Sequence, residues 1–447
     1  MPRKAVAISL FAGALSVAAL AQPNVRPSGI PRLDHVFLIM MENHGYQQVI
    51  GNQNEPYLNS LIDHHKVNLA TNYFAIGHPS LTNYLEVVGG SNFGVRSDNP
   101  PDWGSTTCVP NIASGVLNAD TAVNAPMPVE TGAVCPIRGN GTDAATPAVD
   151  TWNEIAGPFV SLADIDGSRS VAAAPTVGAT IGDQLDAAGL EWKSYQERLP
   201  EGSIFGVNYS NGTATNLTDF TKLTPLKSSD VVQLYAVKHN PFAYFKSVQD
   251  GYDKDNSLKN VVGFDGPRGL YADLATGDVP SFAFIAPNQC DDQHGRGNGD
   301  AFCAFDYGLN DSTYTYGTTV GLNPGLIQQG DTTIERLVKA IHASRAWREG
   351  RNAIVIVWDE NDYSGSTMLL NGVYPPQNQN RVVLTVQTSY SDHMGVQSDE
   401  YYNSYSLLKS LEAGFRLPCL NHACDYDVKV MSDLFGRDRD GRDHDRF

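Results

Sequence analysis

An α/β fold with a largely parallel β-sheet sandwiched between helices is expected from three features of this sequence. Val36 to Met41 and Ala353 to Trp358 are continuous apolar runs of strand length, the pattern of strands buried on both faces. Each runs straight into polar chemistry, Glu42 and Asn43 after the first and Asp359 and Glu360 after the second. Helical spacing recurs between the strand candidates, and βαβ units built this way bring strand ends to one ligand-binding edge.

The chain has 447 residues, 41% apolar and 18% charged, enough to bury a large core. Arg3 and Lys4, the apolar run Ala5 to Leu20 and the triplet Ala19-Leu20-Ala21 form the three parts of a secretory signal peptide. The expected organisation is a signal peptide over 1–21, a single domain over 22–435 and a charged, solvated tail over 436–447. Export to the periplasm or the medium follows. No other run is long and apolar enough to span a bilayer, so no stable membrane insertion is expected. The formal charge is −18, and a surface of that sign repels nucleic acid and anionic lipid. Oligomeric state is not legible. The six cysteines fit an oxidising compartment. Their order favours three local pairs, Cys108 with Cys135, Cys290 with Cys303 and Cys419 with Cys424, although six cysteines allow about fifteen connectivities.

Taken along the chain, Pro56 to His65 has Leu58, Leu61 and Ile62 at helical spacing. His78 precedes Pro79 and Ser80, with Leu81, Tyr84, Leu85 and Val88 marking a helix face behind them. Proline favours the first helical turn, which places His78 at a helix amino end, where anions are attracted. Ser91 to Ser170 reads as an elaborate loop over the site, a place for substrate selectivity. Thr180 and Asp183 have capping spacing before Ile181, Leu185 and Ala188, and the helix ends at Gly189. A threonine there is an ordinary cap or, with its hydroxyl at the positive end of the helix, a nucleophile. A strand over Leu190 to Tyr195 follows, then His239 in Lys238-His239-Asn240-Pro241, then a buried strand over Pro280 to Asn288 leading to Asp291, Asp292 and His294. Gly295 to Gly330 reads as a second loop excursion, Ile334 to Arg345 as an amphipathic helix, Arg381 to Gln387 as a strand and Tyr405 to Phe415 as a helix.

Glu42, Asn43, Asp359 and Glu360 should share one rim of the sheet. Clustered carboxylates raise one another's pKa unless a cation lies between them. Oxygen donors of this kind suit one hard divalent ion of the magnesium, calcium or manganese type. With His78, His239 and His294 around it and a hydroxyl nearby, the set points to displacement at phosphorus.

The ordered motifs Met41-Glu42-Asn43, Gly77-His78-Pro79-Ser80-Leu81-Thr82-Asn83-Tyr84, His239-Asn240-Pro241, Asp291-Asp292-Gln293-His294 and Trp358-Asp359-Glu360 resemble those of the bacterial phosphoesterase family of acid phosphatases and phospholipases C. The resemblance runs from about Asp34 to about Phe435. It implies a core like that of alkaline phosphatases and sulfatases, with one metal held by Glu42, Asn43, Asp359, Glu360 and the nucleophilic hydroxyl. It also implies a serine or threonine nucleophile at a helix amino end, matched here to Thr180 with Thr176 as the fallback, and phosphate-binding and proton-donating roles for His78, His239 and His294. One departure is Ser404, where relatives often carry histidine. The expected activity is metal-dependent hydrolysis of small phosphate monoesters through a phosphothreonine. A phospholipase C and a non-catalytic binder of phosphorylated ligands are the alternatives.

Overall fold

The computed structural model describes residues 25–76, 80–93, 101, 137, 140–141, 176–199, 213–215, 231–251, 255–295, 303, 322–361, 380–391 and 394–436. The expected signal peptide and Cys108 with Cys135 lie outside them, as do nearly all of the first loop region and of the tail. Eight strands form the central sheet: β1 (His35–Met41), β2 (Asn68–Ala70), β3 (Trp192–Gln196), β4 (Val261–Val262), β5 (Phe282–Ala286), β6 (Asn352–Trp358), β7 (Leu384–Thr388) and β8 (Gln397–Ser398). Their order across the sheet is β8-β2-β7-β6-β1-β5-β3-β4. Every neighbouring pair is parallel except the two made by β7.

The two strands singled out in the sequence are neighbours at the centre of this sheet. Val36 to Met41 and all seven residues of β6 are buried, because both sheet faces are covered. Their register pairs Met41 with Trp358, and the Asp359 amide donates to the Met41 carbonyl at 3.0 Å. Parallel pairing in this register makes Glu42 and Asp359 leave the same rim side by side. On the other flank of β1, the chain beyond β5 returns to the rim, where the Asp292 carbonyl accepts from the Glu42 amide at 2.8 Å.

Five helices matter for the site: α1 (Pro56–Asp63), α2 (Ser80–Gly89), α3 (Ile181–Ala187), α4 (Pro324–Ala343) and α5 (Ser404–Phe415). All ten residues of α2 are buried, and it packs against α5. One apolar core runs from Ile30 to Phe435 and takes in both faces of the sheet. Helix α4 begins ten residues before the expected Ile334. Asn323 caps it, its side chain accepting from the Gly325 and Leu326 amides, and Pro324 sits in the first turn. The end of the expected Gly295 to Gly330 excursion is therefore helical. Two of the local disulfides are present, Cys290 with Cys303 and Cys419 with Cys424. Among the described residues no helix is long and apolar enough to cross a membrane.

Candidate active site

Glu42 and Glu360 reach the same hydroxyl. Ser80, the first residue of α2, donates from Oγ toward Glu42 Oε2 and Glu360 Oε1, both at 3.1 Å. Asn83, one turn further along α2, donates to the other oxygen of Glu360 at 3.2 Å. Lys238 approaches Ser80 from the remaining side, with Nζ at 3.2 Å from Oγ. The amino end of a ten-residue helix carries a partial positive charge, so an oxyanion at Ser80 is favoured there.

Behind the hydroxyl, three buried groups form a chain. His239 Nε2 lies 2.8 Å from Glu42 Oε1, and its Nδ1 lies 3.2 Å from Asp292 Oδ2. The Tyr84 ring stacks on the imidazole at a centroid distance of 5.2 Å. Burial works against a charged imidazole here, but Glu42 and Asp292 outweigh it and push His239 up to about 9. Burial likewise disfavours an ionised Glu42, yet His239, Lys238 and His294 together hold it well below the usual carboxylate range. Asp292 moves the other way, up to about 6, because burial and the Glu42 charge outweigh its contact with His239. The Val237–His239 turn that carries this imidazole is fastened by Gln196, whose Nε2 donates to the His239 carbonyl at 3.1 Å.

His294 lies at the mouth of the cluster. Its Nε2 is 3.2 Å from Lys238 Nζ and its Nδ1 is 3.0 Å from the Gly295 carbonyl. That carbonyl can only accept, which fixes Nδ1 as the protonated nitrogen and leaves Nε2 to accept from the ammonium. Burial, with the Lys238 charge beside it, holds His294 well below its ordinary value.

Asp359 is buried, and among the described residues neither of its carboxylate oxygens has a hydrogen-bond partner. Burial first, then the charges of Glu42 and Glu360, raise it well above the usual range. An orphaned carboxylate beside two others is what a hard cation would stabilise, and the oxygen donors present fit magnesium, calcium or manganese in kind. Glu42, Asp359 and Glu360, with the half-buried Asn43 beside Glu42, are the residues that would hold it. Among the described residues no three acidic, histidine or cysteine side chains stand in a finished ligand arrangement, so the acids would have to close on the ion.

Thr180 does not join this cluster. It is the cap of α3, where its Oγ1 donates to Asp183 Oδ2 at 3.0 Å and accepts from the Asp183 amide at 3.2 Å. The preceding residue, Ala179, packs its carbonyl against Gly89 at the carboxyl end of α2. Ser80 is nine residues earlier on that helix, about 14 Å away at ~1.5 Å per residue. Thr180 is the helix cap its spacing predicts, and the α2 residue beside it lies at the opposite end of that helix from Ser80. Thr176 lies in a two-residue strand paired with Asn140–Gly141. His78 falls outside the described residues. Ser80, Asn83 and Lys238 were missed as site residues. Ser80 carried the same signal as Thr180, a hydroxyl at the start of an apolar helix, and Lys238 adjoins a histidine already singled out.

A family profile described as the Phosphoesterase family matches residues 52–304 and 323–418. An acid phosphatase from Aspergillus fumigatus is 23% identical over 407 residues, 91% of this chain and 60% of that protein. A probable acid phosphatase from Kluyveromyces lactis is 22% identical over 400 residues, 88% of this chain and 61% of its own length. A phosphatidylinositol-3-phosphatase from Mycobacterium tuberculosis is 33% identical over 103 residues, 23% of this chain and 33% of that protein. The chain thus spans about three fifths of the length of the fungal relatives, and the relatives include both fungal and bacterial proteins. Among solved structures, a Vibrio parahaemolyticus protein in the alkaline phosphatase superfamily superposes with a TM-score of 0.40 at 10% identity, covering 91% of this chain and 74% of its own.

Proposed function

Because the chain belongs to the Phosphoesterase family, we propose that it is an exported phosphomonoesterase of acid phosphatase type with Ser80 as its nucleophile. One observation carries the reading: the Ser80 hydroxyl stands at a helix amino end with Glu42 and Glu360 on one side and Lys238 on the other. In the first step the Ser80 Oγ–P bond forms as the ester P–O bond breaks. The hydroxyl proton passes to Glu360, the carboxylate it faces that is not tied to His239, and the departing alkoxide is reprotonated from there through solvent. Water then gives its hydroxyl to phosphorus and its proton to Ser80, releasing inorganic phosphate. A divalent cation bound by Glu42, Asn43, Asp359 and Glu360 would lower the cost of the serine alkoxide and offset the acids. His239, between two carboxylates, keeps Glu42 ionised and in place. The two disulfides and the amino-terminal apolar run support export.

The test compares Ser80→Ala with Thr180→Ala on p-nitrophenyl phosphate and p-nitrophenylphosphorylcholine, from pH 4 to 9, with and without chelator. Ser80→Ala should lose at least about a thousandfold in kcat. Thr180→Ala should keep its activity and lose about 1 kcal/mol of stability, the worth of a helix cap. The reverse outcome in folded proteins overturns the Ser80 assignment. Preference for the phosphorylcholine substrate would make the enzyme a phospholipase C, and binding without turnover would make the chain a carrier of phosphorylated ligands.

A further inference from the structure

We propose that Asn83 is a positioning residue for the first step: its side-chain amide fixes which oxygen of Glu360 meets the Ser80 hydroxyl. This rests on the reading of Ser80 as nucleophile and of Glu360 as the group that takes its proton. Ser80 has one hydroxyl hydrogen and two carboxylates at equal distance, Glu42 Oε2 and Glu360 Oε1 at 3.1 Å each. Distance alone does not choose between them. Asn83 makes the two acids different, because its Nδ2 donates to Glu360 Oε2 at 3.2 Å and so turns Oε1 toward Ser80.

The orientation of that amide follows from the chemistry of its other end. Asn83 Oδ1 accepts from the Ile76 amide at 3.1 Å, and a backbone N–H can only donate. The side-chain oxygen and nitrogen therefore cannot be exchanged, and the NH2 group must face the carboxylate. Ser80 and Asn83 stand three residues apart on α2, which puts them on one face of the helix. All ten residues of that helix are buried, so the spacing of hydroxyl and amide is set by packed backbone. The glutamate, by contrast, has several torsions between its backbone and its carboxylate. Its bond from Ser80 is spent as the proton crosses. The bond from Asn83 persists through the step, since Oε2 still accepts when Oε1 is protonated.

The experiment is a double-mutant cycle on kcat and KM for p-nitrophenyl phosphate. The proteins are the wild type, Asn83→Leu, Glu360→Gln and the double variant, with Ser80→Ala as reference and thermal unfolding as the check on folding. Misplacing a reacting group by about 1 Å costs about 100-fold in rate. Asn83→Leu should lower kcat by about that factor while KM changes less than about threefold. In the Glu360→Gln background the same substitution should lower the residual kcat less than about threefold, because a residue that acts through Glu360 then has nothing to position. Should the leucine variant fail to fold, Asn83→Ala replaces it. A loss of about 100-fold in both backgrounds overturns the proposal, since Asn83 would then act through Ile76 on the start of the helix. An unchanged kcat in folded Asn83→Leu, or a change confined to KM, overturns it while leaving the Ser80 reading intact, provided Ser80→Ala is inactive. Wild-type kcat in Ser80→Ala or in Glu360→Gln overturns the reading of that residue and this proposal with it.

Discussion

Asp359 follows a seven-residue buried strand with a carboxylate whose two oxygens are buried and, among the described residues, unpartnered. In water such a group would be ionised at neutral pH; here burial, with Glu42 and Glu360 beside it, raises its pKa well above the usual range and so favours the protonated form. A cation would reverse the preference. The same side chain is then a liability without metal and an asset with it, and the two states separate cleanly on substitution. In the presence of chelator, Asp359→Asn should be more stable than the wild type above neutral pH, with the difference shrinking as pH falls, because the amide need not take up a proton on burial. On titration with manganese, calcium or magnesium the wild-type Tm should climb, as it does when a ligand binds only the native state, and the variant Tm should stay flat. Equal metal-induced stabilisation of both proteins would remove Asp359 from the metal site. Glu42 offers no comparable test, because His239 already compensates its charge.

Helix α4 governs the rim through a single side chain. Gln293, at φ +81°, accepts from Trp358 Nε1 at 3.0 Å and donates from Nε2 to the Ile327 carbonyl at 3.0 Å and to Glu55. It thereby fastens the last residue of β6, next to Asp359, to α4. Gly330 is what allows the approach, since a methyl group on it would overlap the Gln293 side chain. Gly330→Ala gains about 1 kcal/mol of helix propensity. It also displaces a buried amide with three partners, at about 1–3 kcal/mol for each group left unsatisfied. The clash wins. The variant should lose about 2 kcal/mol in urea unfolding, with m unchanged, and equal or greater stability would show that Gln293 can move aside. None of this was readable beforehand, because Gly330 lies at the end of a stretch whose glycines suggest a loop, and the Asn323-Pro324 cap is its only helical signal. The central strands were legible, since burial on both faces writes an unbroken apolar run. The antiparallel direction of β7 left no such mark. The acids of the site could be read from where they fall after β1 and β6. The hydroxyl could not, because Ser80 and Thr180 carry the same local pattern and only the packing of α2 between rim and α3 decides which faces the acids.

Several buried acids far apart in the fold are displaced in one direction. Glu197 is raised to about 8 by burial and by Asp291, even though the Asn288 amide and Arg336 donate to it. Glu55 and Glu412 are raised well above the usual range, burial being the largest cause in each. An acid whose folded pKa exceeds its unfolded one binds more protons in the native state, so its contribution is complete below the unfolded value and is lost as pH rises through the folded value. For Glu197 that window runs from about 4.5 to about 8. Net charge acts in the same sense, because a chain of formal charge −18 with an isoelectric point near 4.9 repels itself more as pH rises. The whole molecule should therefore be most stable on the acid side of neutrality. One displaced pKa unit corresponds to about 1.4 kcal/mol. Burial is the largest cause of the Glu197 shift and the partly exposed Arg336 only opposes it, so a loss on the order of 4 kcal/mol at most from this residue is expected between pH 5 and 8. Scanning calorimetry of the chelated protein at half-unit steps should show Tm falling across that range. Glu197→Gln keeps the shape and removes the titration, so its curve should fall less steeply by that amount. Parallel curves for the two proteins would assign the pH dependence to Glu55, Glu412 or net charge instead.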